Sequence, residues 1–211
     1  MNFAFLAFPD VEELDLIGPW EILAGGLKAQ EKIEEAFIVT ETGEPFRCAK
    51  GLEIVPHYDF ANCPTFEYLL VPGGWGSRQQ ATNPRFISFL KERAKSCRAV
   101  LSVCTGAFLL AEAGLLEGKK ATTHWSSLDR LRDFGGVDVV EERFVRDGSI
   151  WSSAGVSAGI DLSLEFIKEE FDETTAEAIQ FYAEFYPVGT VYGKPEAKPE
   201  APKYLKKSAP D

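Results

Sequence analysis

The chain has 211 residues, 45% of them hydrophobic and 26% charged, which is enough for one α/β domain with a sizeable core. Its formal net charge of −11 excludes the basic surface that nucleic-acid binding needs and disfavours anionic membranes, so neither is an expected partner. No apolar run reaches the ~18 residues of a spanning helix, and the N-terminus, MNFAFLAFPD, lacks a basic leader and reads into a strand, so no signal peptide is expected.

Residues 2–8 form an apolar run of strand length that Pro9-Asp10 ends. Gly18-Pro19 sets a helix start, because proline is tolerated at the first helical position, and Gly25-Gly26 closes it. The loop before that helix carries Glu12, Glu13 and Asp15. The two glutamates read as solvated. Asp15, wedged between Leu14 and Leu16-Ile17, is either a backbone-capping residue or a carboxyl held at a site with a raised pKa. Residues 36–40 read as a second strand, and 47–56 as a hairpin turning at Lys50-Gly51, with His57 a surface or loop-packing residue. Residues 67–71 form a buried strand running into PGGWG. Gly73 and Gly74 there let backbone N–H groups approach a ligand, as in an oxyanion hole, or make a plain tight turn. Asn83-Pro84 caps and starts a helix through Ser96, with Phe86, Phe89, Leu90 and Ala94 on one face.

The stretch RAVLSVCTGAFLLAEAGLLEG, residues 98–118, organises the rest. A buried strand over 99–103 meets Cys104, and good helix formers follow over 107–113 until Gly114 or Gly118 ends them. A cysteine at such a switch holds its sulfur over the first free N–H groups of the helix, which favours a thiolate with a lowered pKa. That is the geometry of a nucleophile elbow with sulfur in place of oxygen, and Gly106 beside it permits close packing. The alternative is a cysteine packed as a small hydrophobe. Cys48, Cys63 and Cys97 read as structural or incidental. With no C-x-x-C pair and only His57 and His124 as partners, no metal site is expected, and the thiols read as reduced in a cytoplasm.

Residues 121–125 read as a strand end and loop, with Ser126 capping a helix over 127–134. His124 either approaches Cys104 as base or orienter or packs beside Trp125. Residues 137–141 and 143–153 alternate like strands, with Asp147-Gly148 as a hairpin turn. The small-residue loop over 152–159 allows close packing around a pocket, or only tight helix contact, and leads into a helix over 160–171. Asp172 or Thr174 then caps a last helix that ends near Pro187. Trp75, Trp125, Trp151 and Phe108 line a pocket, fill the core or meet another subunit. One domain over 1–187 and a loosely ordered Pro/Lys-rich tail over 188–211 are expected. Strands alternating with helices imply a doubly wound, mostly parallel sheet.

The segments LDLIGPWEIL, LLVPGGWG, LSVCTGAFLLAEAGLLEGKKATTHW and SSAGVSAGID, in this order and spacing, resemble the ThiJ/PfpI superfamily of class-I glutamine-amidotransferase-like proteins over about residues 2–186. The resemblance implies a flavodoxin-like sandwich with an elbow cysteine, and a homodimer. Thr105 stands where the PfpI peptidase branch has histidine, and Asp15 where the Parkinson-linked and deglycase branch has glutamate. Asp15, Thr105 and ATTHW together are similar to the isocyanide hydratase branch. They are also similar to the N-terminal domain of AraC-type regulators, which carry a helix-turn-helix module that these 211 residues do not contain. By resemblance, Cys104 is the nucleophile and Asp15 the acid/base carboxyl. Thr105 hydrogen-bonds near the sulfur, N–H groups around Gly74 and Thr105 hold developing charge, and His124 matches a motif position. The reaction implied is hydration of an isocyanide, a small electrophilic substrate, to an N-substituted formamide through a thioimidate on Cys104, without metal or organic cofactor. The alternatives are glyoxalase or deglycase action on α-oxoaldehydes, a redox sensor or chaperone, and a ligand-binding domain without turnover.

Overall fold

The computed structural model describes residues 1–187 and 192–206. In chain order the strands are β1 (Asn2–Leu6), β2 (Glu35–Thr40), β3 (Phe46–Arg47), β4 (Glu53–Ile54), β5 (Tyr58–Asp59), β6 (Tyr68–Val71), β7 (Ala99–Val103), β8 (Lys120–Ala121), β9 (Asp138–Val139), β10 (Phe144–Asp147) and β11 (Ile150–Ser153). Seven of them form one sheet in the order β10-β11-β7-β6-β1-β2-β5. Every pairing in it is parallel except the β10–β11 hairpin. The central strands are apolar on both faces: Phe3, Phe5 and Leu6 on β1, all of β6 and all of β7 are buried, as a sheet covered by helices on two sides requires. This is the doubly wound, flavodoxin-like arrangement expected. β1 lies between β2 and β6, so the chain reverses its direction of winding there, and the loops after β1, β6 and β7 meet at one end of the sheet.

The helices are α1 (Glu13–Pro19), α2 (Leu27–Ala29), α3 (Ser77–Gln80), α4 (Pro84–Ala94), α5 (Gly106–Glu112), α6 (Leu128–Arg132), α7 (Ala158–Glu170), α8 (Glu173–Tyr182) and α9 (Lys203–Lys206). α1, α7 and α8 pack together, whereas α4 and α6 pack against α5. Asn83 and Asp172 cap α4 and α8 through their side chains, accepting from Phe86 N–H and Thr175 N–H.

Two expectations change. The first helix starts at Glu13, five residues before Gly18, so Asp15 lies in a first helical turn rather than in a loop. Pro19 cannot donate to the carbonyl one turn back, and the helix passes it in wider π turns over Trp20–Gly26 before continuing as α2. Gly18 does not start the helix and Gly25-Gly26 does not close it, because Gly18 and Gly26 serve packing. A Cβ at Gly18 would stand 3.2 Å from Ile160, and one at Gly26 2.6 Å from Ile179. In the tail, residues 192–206 form a 3-10 turn at Pro195–Ala197 and then α9, with Pro202 buried and Lys203 N–H donating to Glu141 at 2.6 Å. Residues 188–191 and 207–211 of the expected tail lie outside the described residues.

Candidate active site

β7 delivers Cys104 at the C-terminal end of the sheet with φ 55°, a left-handed conformation that a non-glycine residue adopts only when its surroundings enforce it. Three contacts do so. Cys104 N–H is shared between the carbonyls of Ser153 and Ala154 at 3.1 Å each, and Thr123 Oγ1 donates to its carbonyl at 2.7 Å. Behind the sulfur, α5 presses its first turn on the chain after β6, where a Cβ at Gly106 would sit well inside contact with the Val71 carbonyl oxygen. Gly106→Ala is therefore expected to cost ~2 kcal/mol or more, roughly 4–8 °C in Tm by thermal melting, and to displace the elbow.

The partner of the sulfur is Asp15, which is fully buried. Its Oδ2 accepts from Gly73 N–H at 3.2 Å, and its Oδ1 is buried with no hydrogen-bond partner. Burial first, and then the charge of Glu12, push the Asp15 pKa up to about 7; the Cys104 thiol and the Gly73 N–H only partly offset this. The Cys104 thiol is also pushed up, by burial first and then by the Asp15 carboxylate. The lowered cysteine pKa expected from the elbow is thus corrected. The N–H groups of Thr105 and Val156 do favour the thiolate, but a two-turn helix does not outweigh an almost fully desolvated sulfur beside a carboxylate. At neutral pH the thiol therefore stays protonated beside a carboxyl whose own pKa has risen to about 7, rather than standing as a free thiolate.

The structure brings Cys104, Asp15, Thr105, Gly73, Gly74 and Gly106 together, with different tasks from those read for some of them. Thr105 Oγ1 accepts from Gly74 N–H at 3.0 Å and from Ser77 Oγ at 3.0 Å, and it is the Thr105 backbone N–H that serves the sulfur. The Gly73 and Gly74 N–H groups are engaged by Asp15 and Thr105, so they position those two side chains instead of facing a developing anion. Both glycines are sterically required: a Cβ at Gly73 would stand 2.9 Å from Asp15 Oδ2, and Gly74 has φ 117°. His124 lines the same cavity, but its Nδ1 faces Ser126 Oγ at 2.8 Å and no bond to Cys104 or Asp15 exists among the described residues. Burial lowers its pKa, and the ring packs on Gly155. Of the four aromatics, Trp75 lines the cavity, Trp151 and Phe108 are buried in the core, and Trp125 is exposed, lining a separate groove with residues of the tail.

Cys104 opens onto a cavity of about 190 Å³, bounded also by Gly74, Trp75, Arg78, His124 and Val156. Val156, Thr123, Ser77 and Arg78 are the residues that sequence reasoning did not single out. Among the described residues no group of three or more His, Cys, Asp and Glu is placed to hold a metal ion. No described helix is long and apolar enough to cross a membrane.

A model of the DJ-1/PfpI family matches residues 1–169. The chain is 36% identical over 202 residues to an isonitrile hydratase of Pseudomonas putida, covering 95% of this chain and 86% of that one. A glutathione-independent glyoxalase of Caenorhabditis elegans is 26% identical over 162 residues, covering 75% and 82%. Among solved structures, a ThiJ/PfpI family protein from Pseudomonas syringae superposes with a TM-score of 0.85 at 34% identity, covering 97% of this chain and 82% of that one.

Proposed function

The chain belongs to the DJ-1/PfpI family, and from that premise we propose that it hydrates an isocyanide to an N-substituted formamide with Cys104 as nucleophile. One observation carries the reading: a fully buried carboxyl stands against the buried thiol, and burial raises its pKa to about 7, so a single group can both accept and return a proton at neutral pH. The similarity to the isonitrile hydratase supports the choice of substrate.

The chemistry follows from the pair. Ionised Asp15 takes the thiol proton as the Cys104 sulfur adds to the terminal carbon of R–N≡C. The same proton passes from Asp15 to that carbon and leaves a thioimidate, R–N=CH–S–Cys104. Asp15, ionised again, takes a proton from water as the water oxygen adds to the imidate carbon, and returns it to nitrogen. Collapse breaks the C–S bond, the hydroxyl proton goes back to sulfur through Asp15, and R–NH–CHO leaves. The N–H groups of Thr105 and Val156 steady the sulfur while it carries charge in the first and last steps.

Given an aryl isocyanide, the protein is expected to release the matching formamide, one per isocyanide consumed, as read by liquid chromatography. Consumption of methylglyoxal with formation of lactate, and none of the isocyanide, would replace this reading with the glyoxalase one that the nematode relative exemplifies.

A further inference from the structure

Arg78, on α3, enters the cavity that Cys104 opens to. Its guanidinium lies 4.6 Å from the Trp75 ring centre and 5.8 Å from that of Phe108, and Nη1 donates to the Gly74 carbonyl at 3.2 Å. Arg130, on α6, stands over the same Phe108 ring at 5.2 Å. Arg85, Arg98, Arg132, Arg143 and Arg146 each pair with a carboxylate. Among the described residues Arg47, Arg78, Arg93 and Arg130 make no ion pair, and of these Arg78 and Arg130 share the Phe108 ring. The acid at the cavity, Glu12, is already held by Lys50. In a chain of net charge −11, two guanidiniums gathered on one ring and left without a counter-charge are conspicuous. Burial and then Arg130 lower the Arg78 pKa, and the charge of Cys104 acts the other way.

We propose that the substrate presented to Cys104 carries a carboxylate, and that Arg78, assisted by Arg130, binds it. This rests on the hydratase reading and names its substrate class: a compact isocyanide that bears an acid group. With Nη1 committed to Gly74, the remaining N–H groups of Arg78 form a planar fork suited to a carboxylate. A cavity of about 190 Å³ matches one ring with its two substituents rather than a nucleotide-sized ligand. A carboxylate supplies the missing counter-charge where water is partly excluded, which is where charge-assisted bonds are strongest.

The test compares 4-isocyanobenzoate with its methyl ester. In the wild-type protein, kcat/KM for the acid is expected to exceed that for the ester at least tenfold, a difference of about 1.4 kcal/mol. That ratio should fall towards one in Arg78→Met, survive largely in Arg78→Lys, and fall partway in Arg130→Gln, where the change is at an exposed side chain. Use of the ratio cancels any loss common to both substrates. A wild-type ratio near or below one, or a ratio that Arg78→Met and Arg130→Gln leave untouched, overturns the proposal. If neither isocyanide is consumed, the hydratase reading fails by itself, and calorimetry with 4-formamidobenzoate and its methyl ester then decides the anion site. Tenfold tighter binding of the acid, weakened in Arg130→Gln, supports the site, and equal binding overturns it.

Discussion

Asp15→Asn is expected to lower kcat/KM for an aryl isocyanide about 10³-fold while the protein stays folded. General acid–base catalysis contributes ~10²–10⁴ in rate, and here one carboxyl moves the proton in both halves of the reaction. The amide keeps the size of the side chain and its bond from Gly73 N–H, so the loss reports proton transfer rather than collapse of the site. The pH dependence carries the signature. In the wild type the reactive pair holds one proton, so kcat/KM should rise with pH through about 7, the value to which burial has brought Asp15, and then level. In the variant that limb should disappear.

Stability should move in the opposite sense. The folded pKa of Asp15, about 7, lies above its ordinary value of 3.8, so the folded protein binds more protons than the unfolded chain between those values. Its contribution therefore falls as pH rises across that window. Asn carries no such penalty. Relative to the wild type, the variant should therefore gain stability as pH rises from 4 to 8, by on the order of a few kcal/mol, as read in thermal melts. Unchanged pH profiles in both activity and melting would remove Asp15 from the account.

Cys104→Ser is expected to cost at least ~10⁴ in kcat/KM although it changes a single atom. A serine hydroxyl is far less acidic than a thiol, and a carboxylate that titrates at about pH 7 is too weak a base to activate it. Sulfur is also the better match for the soft terminal carbon of an isocyanide. The substitution keeps the space and the neighbouring N–H groups, so the melting temperature should change little, and the loss belongs to the chemistry.

Much of this site was legible locally. A buried strand, a cysteine and a run of helix formers are consecutive in sequence, and the elbow follows from them without tertiary information. Asp15 was legible as an acid set among apolar residues, but whether it capped a backbone or faced a thiol depended on Gly73, 58 residues away. The start of the first helix was misread because Gly18 looked like a boundary, whereas its missing side chain makes room for Ile160 on α7. The cysteine pKa was misjudged in sign because the helix terminus is a local feature, while the burial and the carboxylate that outweigh it come from the fold. Val156 was legible only as part of the small-residue loop over 152–159, since it acts through its backbone N–H from a residue with φ 50°. Arg78 left no signal, because a single arginine after PGGWG reads as a solvated loop residue until Trp75, Phe108 and Arg130 are seen around it.

The covalent role of Cys104 is tested most directly by the ultraviolet progress curve of an aryl isocyanide, recorded side by side for the wild-type protein and Cys104→Ala at equal concentration. The account predicts steady conversion to the formamide by the wild type and a trace for the variant that coincides with buffer. Turnover by Cys104→Ala at or near the wild-type rate would contradict it.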